Sequence, residues 1–282
     1  MNGELGQRAA AYEPRQVEAA RRVILELWQI LGAYRDAMVL VGGWVPELLL
    51  PQAKPPHTGS IDVDLLLNPK PLREGHYAEL LKAIQARGYR RTKPFRFAKD
   101  IVVDDGGPIN VEIDFLVPKG SLRRTRSRVA PGFRAIEAEG ASLAIESTEN
   151  RRLEGSMPDG AHNRVELQVA SIEAFLVMKA FALRGRLKGK DAYDIVFCLR
   201  NWPGGTTAVA DRLRPFAGRA EVREMMRILA VHFASPDHLG AQSVAAFLDP
   251  ADPDERAFVA RDAYERVQAL LRELGFEGNE EP

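Results

Sequence analysis

The stretch HTGSIDVDLLL, residues 57–67, sets two carboxylates, Asp62 and Asp64, into a run that otherwise has the pattern of a buried β-strand. Side chains alternate faces along a strand, so Asp62 and Asp64 share one face while Ile61, Val63 and Leu65 share the other. Two like charges side by side are unfavourable unless something positive lies between them. For paired carboxylates the usual positive species is a hard divalent cation such as Mg²⁺.

Outward from this pair, NVEIDFLVP (110–118) carries Glu112 and Asp114 on one strand face and Val111, Ile113 and Phe115 on the other. If that strand lies beside the first, three carboxylates, Asp62, Asp64 and Asp114, converge on one site. Two Mg²⁺ ions held there could activate an attacking oxygen and neutralise a leaving pyrophosphate. Upstream, MVLVGGWVPELLL (38–50) reads as strand, glycine turn and helix. Gly42 and Gly43 would let backbone N–H groups approach a phosphate chain with no Cβ in the way, and Ser60 would add a hydroxyl. Taken singly, the acids could be a solvated edge strand and the glycines a plain turn; the combination is more specific than its parts.

The rest of the chain places these segments. Apolar spacing predicts an amphipathic helix over 14–37 and a second over 71–88 closed by Gly88. FRFAKDIVV (95–103) and INVEIDFLVP (109–118) flank DDGGP and form a β-hairpin, and ASLAIES (141–147) and RVELQVA (164–170) are short strands. From Ser171 onward the pattern is helical. The expected architecture is α+β: a core domain with a mixed β-sheet over 1–170 and a helical domain over 171–282 that closes a nucleotide cleft.

Composition excludes several classes. The 282 residues, 45% hydrophobic, balance 39 Lys and Arg against 39 Asp and Glu, so whole-chain charge marks neither a nucleic-acid coat nor a membrane-surface protein. No stretch approaches the ~20 apolar residues of a membrane span. The single cysteine, Cys198, lies in an apolar run as a buried thiol and fits a reducing cytoplasm. The five histidines show no metal-ligand spacing, and His57 is at most an auxiliary. RRTRSR (123–128) and RGYRRTKPFRF (87–97) are basic enough to track RNA, although a solvated loop is the better account of each.

The series Gly-Gly, Ser-x-Asp-x-Asp and a later strand Asp resembles the signature of DNA polymerase β-type nucleotidyltransferases. Within that superfamily the chain is similar to the AbiEii family, toxins of abortive-infection toxin–antitoxin pairs. SIEAFLVMKAFALRGRLKGKDAYDI (171–195) is similar to that family's helical Lys, later Arg and Lys-Asp-x-x-Asp, matched here by Lys179, Arg184, Lys190, Asp191 and Asp194. The resemblance implies a nucleotidyltransferase core and Mg²⁺-dependent transfer of a nucleoside monophosphate from a nucleoside triphosphate to a hydroxyl. It implies Asp62 and Asp64 as metal ligands, Asp114 as a third ligand that helps activate the acceptor, and Lys179 as a contact to the triphosphate. Asp191 and Asp194 would border the nucleotide or orient Lys179, with Arg184 and Lys190 among the binding cations. The 3′ end of a transfer RNA is the implied acceptor, and a cognate antitoxin an implied partner. A protein or an aminoglycoside is the alternative acceptor, and a non-catalytic nucleotide-binding module the alternative class. One departure stands out: Thr58, after His57, occupies a position where the family commonly has Arg.

Overall fold

The structure is a computed structural model and describes residues 8–72, 74–104, 106–121, 128–130, 133–186 and 188–276. The chain divides into two compact units. The core unit comprises Tyr12–Leu49 and Gly59–Ser171, and the helical unit comprises Leu50–Thr58 and the described residues of Met1–Ala11 and Ile172–Pro282.

In the core unit, α1 (Pro14–Ile30) starts with Pro at its first turn and stops short of the expected Ala37, because Gly32 opens a 3₁₀ segment, Gly32–Ala37. The chain then enters β1 (Met38–Val41), turns through Gly42–Trp44 and forms the short α2 (Val45–Leu49). β2 (Val63–Leu67) carries Asp64, and Asp62 directly precedes it. α3 (Glu74–Ala86) leads to β3 (Arg90–Lys93), β4 (Arg96–Ile101) and β5 (Ile109–Pro118). A small ribbon, β6 (Arg128–Ala130) with β7 (Phe133–Arg134), and the short β8 (Ile136–Ala138) follow. After these come α4 (Ala141–Glu146), β9 (Thr148–Ser156) and β10 (His162–Ala170).

The main sheet runs in the order β3-β4-β5-β2-β1-β10-β9, with β8 added on β5. It is mixed: β2 pairs β5 and β1 pairs β10 in parallel, while β1–β2, β4–β5 and β9–β10 are antiparallel. Along β5 the burial alternates, with Val111, Ile113 and Phe115 fully buried and Glu112 and Asp114 half-buried. α1 packs on the apolar face, where its Glu26 accepts from Lys99 of β4 at 2.6 Å and from the Tyr89 hydroxyl at 2.6 Å. The acids of β5 therefore point to the opposite face.

The expectation of a strand over 141–147 is corrected: residues 141–146 are α4, entered from Gly140 in the left-handed region. Ala141 and Ala144 are buried at helical spacing, which a short apolar run leaves indistinguishable from alternation. β3 and β9 were not expected, because charged residues interrupt their pattern.

In the helical unit, α5 (Ile172–Arg186), α6 (Gly189–Asn201), α7 (Gly205–Leu213), α8 (Ala220–His232), α9 (Leu239–Leu248) and α10 (Pro253–Glu273) form a bundle. α6 packs on α5 and α9, and α9 on α10. A Cβ on Gly240 would stand 2.7 Å from the His232 carbonyl oxygen, so only glycine permits that approach of α9 to α8. Asp252 caps α10 by accepting from the Asp254 N–H at 2.9 Å, with Pro253 at the first helical position.

Candidate active site

The strand acids meet by register. β2 and β5 are adjacent and parallel, and Asp64 pairs with Asp114 across them. β2 lies between β1 and β5, so its acids do not belong to an edge strand exposed for solubility. Asp62 is exposed, Asp64 half-buried and Val63 and Leu65 fully buried, in keeping with an apolar back and a polar front.

Gly42 completes this front. Val41 is the register partner of Asp64, and a Cβ added to Gly42 would come 2.0 Å from Asp64 Oδ2. Its φ of +74° adds a second reason for glycine. Gly43 is buried in the same turn, and Ser60 is buried two residues before Asp62. Asp114 is not left as a bare third acid. Arg96 Nε and Nη2 donate to Asp114 Oδ1 and Oδ2 at 2.6 Å each, and its Nη1 donates to Glu112. The acids in turn hold the Arg96 guanidinium well above its ordinary pKa, Asp114 through its hydrogen bond most of all. Among the described residues no group of three or more His, Cys, Asp or Glu side chains is placed to hold a metal ion. The oxygen-only donors and the acid register nonetheless match the chemistry of a hard cation.

The helical unit holds a second set. Lys179 of α5 places Nζ 2.7 Å from Asp191 Oδ1 and 2.7 Å from Asp194 Oδ2, both on α6. Lys190 Nζ stands 2.9 Å from Asp194 Oδ1, and Arg186 Nε donates to Asp191 Oδ2 at 2.7 Å. His57 Nε2 is also 2.9 Å from Asp194 Oδ1, with its ring stacked on Tyr193 at 5.4 Å. Asp191, Asp194, Lys179 and His57 are all buried.

Burial works against every charge here, and the outcome depends on the partners. Burial penalises the Lys179 ammonium, yet Asp191 and Asp194 keep its pKa above the ordinary value. The carboxyls of Asp191 and Asp194 lie below the usual range despite burial, Asp191 because of Lys179 and Arg186 and Asp194 because of Lys179 and Lys190. For Lys190 burial prevails and lowers the pKa. His57 is lowered to about 4, by burial first and then by the Lys190 charge, so its ring is neutral near pH 7.

The structure thus brings together Gly42, Asp64 and Asp114 in one unit, and Lys179, Lys190, Asp191 and Asp194 in the other. Arg184 pairs with Glu224 at 2.6 Å and lies over the Phe181 ring. Arg186, which donates to Asp191, is with Arg96 and His57 a residue the sequence reading did not select. Cys198 is buried and free, as expected. Of the basic stretches, residues 123–127 lie outside the described residues, while Arg90, Arg91 and Lys93 are exposed on β3. Among the described residues no helix is long and apolar enough to cross a membrane.

A comparison with curated proteins finds no match. A family model described as "Nucleotidyl transferase AbiEii toxin, Type IV TA system" matches residues 28–273. The α+β architecture with its mixed sheet is consistent with a nucleotidyltransferase fold, and with the match extending over most of the chain, this protein belongs to the AbiEii nucleotidyltransferase toxin family.

Proposed function

We propose that the chain moves a nucleoside monophosphate from a nucleoside triphosphate to an acceptor hydroxyl on RNA, the 3′ end of transfer RNA in particular. The observation that carries this reading is the register of Asp64 on Asp114, with Gly42 against the Asp64 carboxylate. Asp62, Asp64 and Asp114 are the residues that would hold Mg²⁺, two ions when fully loaded. When bound, the metal supplies charge neutralisation on the triphosphate and the departing pyrophosphate.

The chain's own groups do the rest. Asp114 takes the acceptor proton as the acceptor oxygen bonds to the α-phosphorus and the bond to pyrophosphate breaks. Gly42 and Gly43 offer backbone N–H groups to the phosphates, and Ser60 a hydroxyl. Lys179 contacts the triphosphate as a point charge, with Asp191 and Asp194 fixing its position and protonation. Lys190 and Arg186 are cations grouped with it. The catalytic gain comes from positioning and charge, as in phosphoryl transfer generally. Nucleoside triphosphates and RNA place this activity in the cytoplasm, and the family's toxin–antitoxin description supports a cognate antitoxin as partner.

The test is incubation with Mg²⁺, each labelled nucleoside triphosphate in turn and total transfer RNA, beside an Asp62→Ala, Asp64→Ala double variant. Label on RNA with wild type alone is the expected result. Label on a protein or an aminoglycoside instead would replace the acceptor, and nucleotide binding without label on any of these acceptors would refute the enzyme reading in favour of a non-catalytic nucleotide-binding module.

A further inference from the structure

Arg96 stands on β4 opposite Asp114 in the antiparallel register. Its fork engages both Asp114 oxygens at 2.6 Å, its remaining terminal nitrogen engages Glu112, and it lies within electrostatic reach of Asp62. The guanidinium therefore sits among the acids that the function requires for a metal. Structural pairing of β4 with β5 does not need it, since the backbone ladder already runs from Arg96–Asp114 to Ile101–Ile109. The pair is also partly open to water, with side-chain exposures of 22% for Arg96 and 14% for Asp114, so exchange of partners does not strand a charge in an apolar interior.

We propose that Arg96 is a resident cation of the acid site, holding Asp114 in the absence of metal and displaced from it when a divalent cation binds. The inference rests on the metal-ligand reading of Asp62, Asp64 and Asp114. It makes Arg96 a positioning residue: it orients the third acid, and it sets the concentration at which metal loads. Without this competition the site would bind metal more tightly. A forked, charge-assisted contact carries roughly tenfold to hundredfold in an equilibrium constant, so its removal should tighten metal binding by about tenfold or more.

The experiment titrates the full chain with Mn²⁺ alone, followed by electron paramagnetic resonance of the free ion, for wild type, Arg96→Gln and Asp64→Asn. Tighter Mn²⁺ binding by Arg96→Gln, with native circular dichroism, supports the proposal; equal or weaker binding overturns it. Asp64→Asn should lose Mn²⁺, and if it binds as wild type does, the metal reading itself fails and takes the proposal with it. Should Arg96→Gln not fold, the wild type still decides: the Arg96 Nε–H nuclear magnetic resonance signal, assigned by its loss in Arg96→Lys, should move on saturation with Mg²⁺. A signal unmoved at saturation overturns the proposal.

Discussion

Replacing His57 with Gln should remove a specific part of the protein's acid sensitivity. The His57 ring is buried, stacked on Tyr193 and edge-on to Phe197 at 4.8 Å, and Nε2 meets Asp194 at 2.9 Å. Its pKa falls from 6.5 to about 4 on folding. The unfolded chain therefore binds the proton first as pH drops. The contribution to stability is complete above about pH 6.5 and is lost as pH falls towards about 4, and it amounts to roughly 3 kcal/mol at most. Glutamine keeps an amide N–H for Asp194 and does not titrate. Urea unfolding followed by far-ultraviolet circular dichroism, at steps from about pH 7 to about pH 4, gives the difference between wild type and variant, in which carboxylate titrations common to both cancel. Wild type should lose on the order of 3 kcal/mol relative to His57→Gln over this range. Parallel pH profiles would refute the reasoning. A relative gain by wild type at low pH would mean that His57 charges in the folded state and pairs with Asp194 as an ion.

Two further substitutions test the two acid sets. Gly42→Ala forces a side chain at φ +74° and a Cβ 2.0 Å from Asp64 Oδ2. It should cost about 1–3 kcal/mol in backbone strain and weaken Mn²⁺ binding by displacing Asp64, and a wild-type melting temperature would contradict this. Lys179→Met leaves Asp191 and Asp194 buried with fewer cations, a break worth about 3–5 kcal/mol, read as a lowered urea midpoint. An unchanged midpoint would mean that Lys190 and Arg186 suffice for both acids.

Period-two alternation made the acid front readable in one dimension. Asp62 and Asp64 had to share a face, and the hairpin signal around residues 104–108 placed Asp114 on a strand with the same pattern. The parallel pairing of β2 with β5 is a long-range fact that alternation alone does not encode. Arg96 was recoverable only as to face: counting outward from the 104–108 loop brings Ala98 opposite Asp114, and the structure shifts the register by two, so that Ile101 meets Ile109 and Arg96 meets Asp114. Arg186 was recoverable too, since it lies two turns beyond Lys179 on the same helical face, whereas Arg184 lies about 140° round the helix. His57 was not. Its partner Asp194 is remote in sequence, and a lone histidine in a proline-rich connection carries no periodicity to read. β9 was hidden because its charged residues Glu149, Arg151, Arg152 and Glu154 break the alternation while their own pairings satisfy them, as with Arg151 to Glu149 and Arg164 to Glu154 at 2.6 Å.

The two acid sets differ in a way that assigns them different work. Asp191 and Asp194 are essentially removed from water and bound by Lys179, Lys190 and Arg186, with His57 neutral beside them. Exchanging a partner there would leave a buried charge uncompensated, so the set is fixed and suits the holding of one ammonium in one place. Asp114 and Arg96 are partly hydrated, and Asp62 is exposed. A contact of that kind is weakened by salt and exchanges partners at modest cost. Ionic strength should therefore separate the two: added KCl loosens the Arg96 fork while the Lys179 pairs persist. On the proposed reading, the set on the sheet is the one that would take up and release a cation, and the set on α5 and α6 is the one that would keep its charge constant.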